Sequence, residues 1–125
     1  MVSIGCGRHD LVAEVADETS LATLAPDFRA IAELPHRGVL ATARGDEVDF
    51  VSRCFFPRCA IDEDPVTGSA HTTLSAWWAP KLEKTRFSAR QISARGGELE
   101  CEICGDRVLI RGHAVTFLRG EIEIG

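Results

Sequence analysis

The sequence predicts an α+β domain in which a curved, largely antiparallel sheet wraps around one central helix. Two features predict it. Short strand-like stretches, most of them set apart by tight turns, recur from Gly38 onward, and a single segment, Ala70 to Leu82, carries its apolar residues at helical spacing. The length of 125 residues fits one domain, 1–125, that buries most of its apolar surface without disulfides or a structural metal.

Composition narrows the class. Hydrophobic residues at 45% and charged residues at 26% place the chain among globular proteins rather than disordered ones. The net charge of −5, with acids and bases interspersed, leaves no basic stripe for a phosphate backbone or an anionic membrane, so neither nucleic acid nor membrane is expected as a partner. No run of about 18 apolar residues occurs, and Met1-Val2-Ser3-Ile4-Gly5 lacks the pattern of a secretory signal. The expected compartment is therefore cytoplasmic. Five cysteines, an odd number, read as reduced thiols. Cys101-x-x-Cys104 has the spacing of a zinc or redox pair, but it lies in a stretch that alternates like a strand, where residues three apart point to opposite faces. No metal site is expected.

In chain order, Leu11 to Ala16 reads as a strand and Ser20 to Leu34 as helical, broken at Pro26-Asp27, where Asp27 can cap a second short helix. Gly38 to Ala43 and Val48 to Phe56 read as two strands joined by a hairpin at Arg44 to Glu47. Ile61 to Gly68 is rich in turn residues. The core helix follows, with Ala70, Leu74, Trp77, Trp78 and Leu82 on its apolar side, and Pro80 is expected to end or kink it near Ala79. Trp77 and Trp78 lie about 100° apart on a helix, so at most one points fully inward and the second is expected to cover an interface. Phe87 to Ser93, Glu98 to Ile103, Val108 to Phe117 and Glu121 to Ile124 complete the strands.

Chemistry concentrates in Asp62-Glu63-Asp64-Pro65-Val66-Thr67-Gly68-Ser69-Ala70-His71. Three carboxylates, a rigid proline and a Gly-Ser pair directly precede the core helix. A helix N-terminus presents unpaired N–H groups and about half a positive charge, so it attracts a carboxylate or a developing oxyanion. Gly68 permits close backbone approach, Thr67 or Ser69 can cap the helix, and Asp64 is the carboxylate best placed to shuttle a proton. The same residues also make a good turn and N-cap with no catalytic role. His71 either lines the cleft or packs against the sheet. Gln91, Ser93 and Arg95 alternate on one strand, and Arg95 before Gly96-Gly97 either clamps a substrate carboxylate or is solvated. Arg53 reads as a structural partner of Asp49 or Glu63.

Three blocks in order, Asp49-Phe50-Val51-Ser52-Arg53-Cys54-Phe55-Phe56-Pro57, Glu63-Asp64-Pro65-Val66-Thr67-Gly68-Ser69-Ala70-His71 and Arg90-Gln91-Ile92-Ser93-Ala94-Arg95-Gly96-Gly97, closely resemble the C-terminal half of the phenazine-biosynthesis-like (PhzF-like) family. The resemblance runs from about Asp10 to Gly120. It implies one half of a diaminopimelate-epimerase-like fold, in which two pseudo-symmetric domains face each other across a cleft with both helix N-termini turned inward. It further implies a cofactor-independent isomerase or epimerase of small amino or carboxylic acids. The acidic position of the family motif falls on Asp64 and its anion-binding turn on Gly68 and Ser69.

The family's principal general base is a glutamate of the N-terminal domain, accompanied there by a Gly-Asn-Pro motif, and this chain has neither. The resemblance therefore implies homodimerisation or pairing with a separate N-terminal half. The alternatives are a non-catalytic dimeric ligand-binding or structural remnant, and one subunit of a split enzyme.

Overall fold

The computed structural model describes all 125 residues, Met1–Gly125. Its strands are β1 (Ser3–Cys6), β2 (Leu11–Glu14), β3 (Val39–Arg44), β4 (Phe50–Phe56), β5 (Ile61–Asp64), β6 (Arg86–Gln91), β7 (Gly97–Cys104) and β8 (Arg107–Arg111). Its helices are α1 (Glu18–Ala22), α2 (Phe28–Glu33) and α3 (Gly68–Leu82), with a 3₁₀ turn at Pro57–Cys59. All strands join one sheet in the order β1-β2-β3-β4-β6-β7-β8, with β5 paired to β4. Five pairings are antiparallel, and two, β2 with β3 and β4 with β6, are parallel. The fold is the expected α+β arrangement of a mostly antiparallel sheet around a central helix.

The two parallel pairings explain the layers, because each needs a helical crossover. Between β2 and β3 the chain forms α1 and α2; between β4 and β6 it forms α3. Strand β4 alternates accordingly. Phe50, Cys54 and Phe56 face α3 in a cluster with Ala70, Leu74, Trp78, Phe87 and Leu99, while Val51 and Phe55 face α1 and α2 with Leu21, Ala41 and Ala43. Both faces of β4 are thus buried, which accounts for its near-continuous apolar run. Asp27 caps α2, accepting from the Arg29 and Ala30 amides at 3.1 Å.

Several expectations are corrected. Pro80 does not end α3, which runs to Leu82 and closes on the left-handed Glu83 (φ 52°). The proline removes the amide that would bond the Ala76 carbonyl, and both residues lie on the exposed side, where water replaces the lost donor. Trp78 is the one of the pair that points inward, stacking on Phe50 and donating to Thr42 Oγ1 at 3.0 Å. Trp77 is half-buried against the chain's own edge strand. Its ring packs under Gly5, where a Cβ would come within 2.3 Å, and its Nε1 donates to Glu14 at 2.9 Å. Strand β1 was not expected, and β5 occupies part of the stretch read as turns.

The last expected strand stretches hold only as far as Arg111, for a different reason. Strand β8 stops at Arg111, and residues 112–125 form no helix or strand, leaving Val115, Phe117, Leu118, Ile122 and Ile124 exposed. A strand requires a neighbour to bond with, and this arm has none within the domain.

Candidate functional site

The candidate turn begins where β5 ends. Asp64 pairs across the sheet with Cys54, Pro65 and Val66 turn the chain, and Thr67 stands at the N-cap of α3 with extended backbone (φ −127°, ψ 105°). Thr67 does not cap the helix with its side chain; its hydroxyl donates to Asp64 Oδ2 instead. Nor does Ser69 cap it. The exposed Gly68 and Ser69 amides and that of Ala70 therefore open the helix without a side-chain acceptor, as an anion site requires. A Cβ at Gly68 would meet nothing within 4 Å. Packing within the chain does not demand glycine there, and the space beside it is open to a ligand.

Gln91, fully buried on β6, holds this turn from below. Its Oε1 accepts from the Thr67 amide at 2.8 Å, and its Nε2 donates to the Asp64 carbonyl at 2.8 Å and to Thr67 Oγ1 at 3.1 Å. Because Thr67 Oγ1 accepts from Gln91, its own proton is directed at the Asp64 carboxylate. Asp64 Oδ1 makes no hydrogen bond within the chain, so one carboxylate oxygen is oriented and the other is free. Ser93 braces the turn further, donating to the Pro65 carbonyl at 2.7 Å.

Asp64 and Thr67 line a cavity of about 200 Å³ with Arg37, Phe56, Cys59 and Ile61. Two larger clefts, of about 590 and 420 Å³, flank β6, β7 and β8 around Ser88, Glu100 and Arg111. The basic groups in those walls are already paired, Lys84 with Asp49 at 2.5 Å and Arg111 with Glu102 at 3.4 Å, and neither cleft touches the turn. The smaller cavity is the one lined by a carboxylate with an unbonded oxygen and by the N-cap residue of α3.

His71 belongs to the core rather than the cleft. It is fully buried, stacks on Phe50 with ring centroids 6.0 Å apart, and its Nδ1 lies 2.7 Å from the Thr67 carbonyl. Nδ1 must donate there, which leaves Nε2 bare and without a partner. Burial lowers its pKa, against the opposing bond to Thr67. The folded chain therefore binds fewer protons than the unfolded chain at and below about pH 6.5. Stability is expected to fall as pH drops from about 6.5 toward the folded-state pKa of His71, with no further loss from this group below it. Urea unfolding across that window should show a shallower pH slope in His71→Gln.

Arg95 lies exposed in the turn between β6 and β7, outside the cavity lining. Arg53, by contrast, makes the expected structural ion pair, with Glu63, at 2.8 and 2.9 Å. Cys54, buried beneath the turn, has its thiol pushed up to about 12, first by burial and then by the nearby Asp64 and Asp10 charges, so it stays protonated. Cys101 is buried and Cys104 exposed, on opposite faces of β7. The residue that sequence reasoning missed is Arg37. It reaches the site through a contact with Asp10, 27 positions away, which no local pattern announces.

A half-domain of diaminopimelate-epimerase-like fold, with a carboxylate and an open helix N-terminus at one end, is the class that this geometry defines. The chain belongs to the phenazine biosynthesis-like protein family, whose pattern matches residues 2–120. It is 50% identical over 115 residues to an uncharacterized isomerase of Pseudomonas aeruginosa, covering 92% of this chain and 44% of that one. A mouse phenazine biosynthesis-like domain-containing protein is 46% identical over 93 residues, covering 69% of this chain and 32% of its own. Among solved structures, a PhzF-family protein of Enterococcus faecalis superposes with TM-score 0.82 at 49% identity, covering 86% of this chain and 41% of its own. A PhzC/PhzF protein of Clostridium difficile gives 0.86 at 38%, covering 97% and 47%. The chain spans less than half the length of the relatives it matches.

Proposed function

We propose that this chain is the Asp64-bearing half of a cofactor-independent isomerase or epimerase, which moves a proton on a small carboxylate-bearing or amino-acid-like substrate. The observation that carries this reading is a carboxylate oriented by the N-cap Thr67 and lining one cavity with it, directly before first-turn helix amides that no side chain caps. Gly68, Ser69 and Ala70 would receive the substrate's carboxylate or developing oxyanion, and Asp64 would exchange the proton or hold the substrate. Thr67 aligns Asp64, and His71 supports the turn through the Thr67 carbonyl. Arg95 would enter the site only by extending from its turn.

Asp64 is the one carboxylate lining the cavity. A second acid or base must come from a facing half, either another copy of this chain or a separate N-terminal-type domain. The apolar arm after β8 supports association: Val115, Phe117 and Leu118 are 93%, 100% and 81% exposed, a cost that pairing with a facing half would remove. The single carboxylate also supports the second reading, a dimeric ligand-binding or structural protein without turnover.

Solvent deuterium incorporation separates the two. The purified chain is incubated in D₂O with a panel of small amino and carboxylic acids, across a concentration range whose oligomeric state is followed by sedimentation. The isomerase reading expects deuterium beside a carboxylate, appearing with the associated species. Association without incorporation into any acid favours the binding protein, and a monomer at every concentration removes the homodimer.

A further inference from the structure

Beside the open helix N-terminus stands a guanidinium fixed from behind. Asp10 is 2% exposed and accepts from Arg37 twice, from Nε at 2.9 Å and from Nη2 at 2.5 Å. The same Nη2 donates to Ser69 Oγ at 3.2 Å, and the guanidinium lies 5.0 Å above the Phe56 ring. Hydrogen bonding to Asp10 raises the Arg37 pKa further, so the group is permanently charged. Its side chain is 36% exposed against 3% for Asp10, so the pair forms a dipole whose positive end meets the cavity. Nη1 makes no hydrogen bond within the chain.

We propose that Arg37 is an anion-binding residue of this site, positioned by Asp10, and that a ligand carboxylate bridges its free Nη1 and the first-turn amides of α3. The inference rests on the anion-turn reading above and adds its cation. Two consequences follow from the geometry. Asp10 and Phe56 fix the guanidinium plane before a ligand arrives, so little side-chain entropy is lost on binding. Ser69 Oγ already accepts from Arg37, so its own proton is free to be donated to the anion, making Ser69 a donor by side chain as well as by backbone. The site would thus accept small monocarboxylates through two side-chain donors, Arg37 Nη1 and the Ser69 hydroxyl, in addition to the helix terminus.

The test is a titration of the full chain with acetate, followed by NMR at the Gly68 and Ser69 amides and at the Arg37 guanidinium. The expected result is saturable movement of all three with one Kd. A charge-balanced Asp10→Asn/Arg37→Gln variant should bind acetate about tenfold or more weakly, the loss of a charge-assisted hydrogen bond. Ser69→Ala, an exposed change that leaves folding intact, should weaken it several-fold. Arg37→Lys should fall between, since it keeps the charge but cannot hold Asp10 by two bonds while offering a further donor to the ligand. Amides that move while the guanidinium does not, or an unchanged Kd in the double variant, overturn the role of Arg37 and leave the turn standing. No movement at Gly68 and Ser69 in the unmodified chain overturns the anion turn and this proposal together. The guanidinium signal requires no substitution, so a variant that fails to fold does not suspend the test.

Discussion

Gln91→Met is expected to lower the unfolding free energy by about 2–4 kcal/mol, because it keeps the length of the side chain and deletes all of its hydrogen bonds. The Thr67 amide and the Asp64 carbonyl would each lose a partner 2.8 Å away, in a region that water reaches only in part. Each unsatisfied group costs about 1–3 kcal/mol, and Thr67 Oγ1 would lose a donor besides. The loss is a large share of the stability of a domain this size. Urea denaturation measures it as a lowered midpoint at unchanged slope. A change under about 0.5 kcal/mol would mean that the turn is held by α3 and β5 without Gln91. The same variant should release Thr67 from its fixed orientation, so that the damage extends from stability to the alignment of Asp64.

Arg53→Met should be comparably severe, at about 3 kcal/mol. Arg53 makes both bonds to Glu63, and its Nη1 also donates to the Leu21 and Leu24 carbonyls, at 3.2 and 2.9 Å, where α1 ends. Its guanidinium lies 5.2 Å over the Phe55 ring. Side-chain exposures of 13% and 21% for Arg53 and Glu63 put the pair where breaking it leaves a poorly solvated carboxylate and orphaned carbonyls. Glu63→Gln should cost less, since Arg53 keeps its carbonyl partners. Glu63 directly precedes Asp64 on β5, so amide hydrogen exchange at residues 61–67 should accelerate in Arg53→Met before global unfolding. Protection unchanged there would show that β5 is anchored by its pairing with β4 alone.

How legible these features were depended on how local their causes are. The α3 helix, the Asp27 cap, the hairpin between β3 and β4 and the Asp64–Ser69 turn each arise from residues within a few positions, and the sequence displays them directly. The structural ion pair of Arg53 was legible to within two carboxylates, Asp49 and Glu63, and the pairing of β4 with β5 selects Glu63. Strand β1 escaped notice because it is a short edge strand whose meaning depends on pairing with β2. The parallel pairings of β2 with β3 and β4 with β6 depend on crossovers that strand propensity does not encode.

At the site, the carboxylate and the turn were legible and their supports were not. Thr67 reads as a cap and instead serves Asp64; His71 reads equally as cleft or core, and only the packing decides for core; Gln91 spans 24 positions to reach Thr67, and Arg37 spans 27 to reach Asp10. The arm after β8 carries a strand's residues without a strand's partner, so local pattern gave the wrong structure there.

The most direct measurement of the central claim is the rate of solvent deuterium wash-in to a substrate acid, compared between the unmodified chain and Asp64→Asn in the same associated state. Asparagine preserves the size of the side chain and can still bond Thr67, but it cannot take a proton. Loss of one oriented acid–base group predicts a rate lower by about 10²–10⁴-fold with substrate binding retained. Equal wash-in by the two proteins would contradict the account and remove Asp64 from the chemistry.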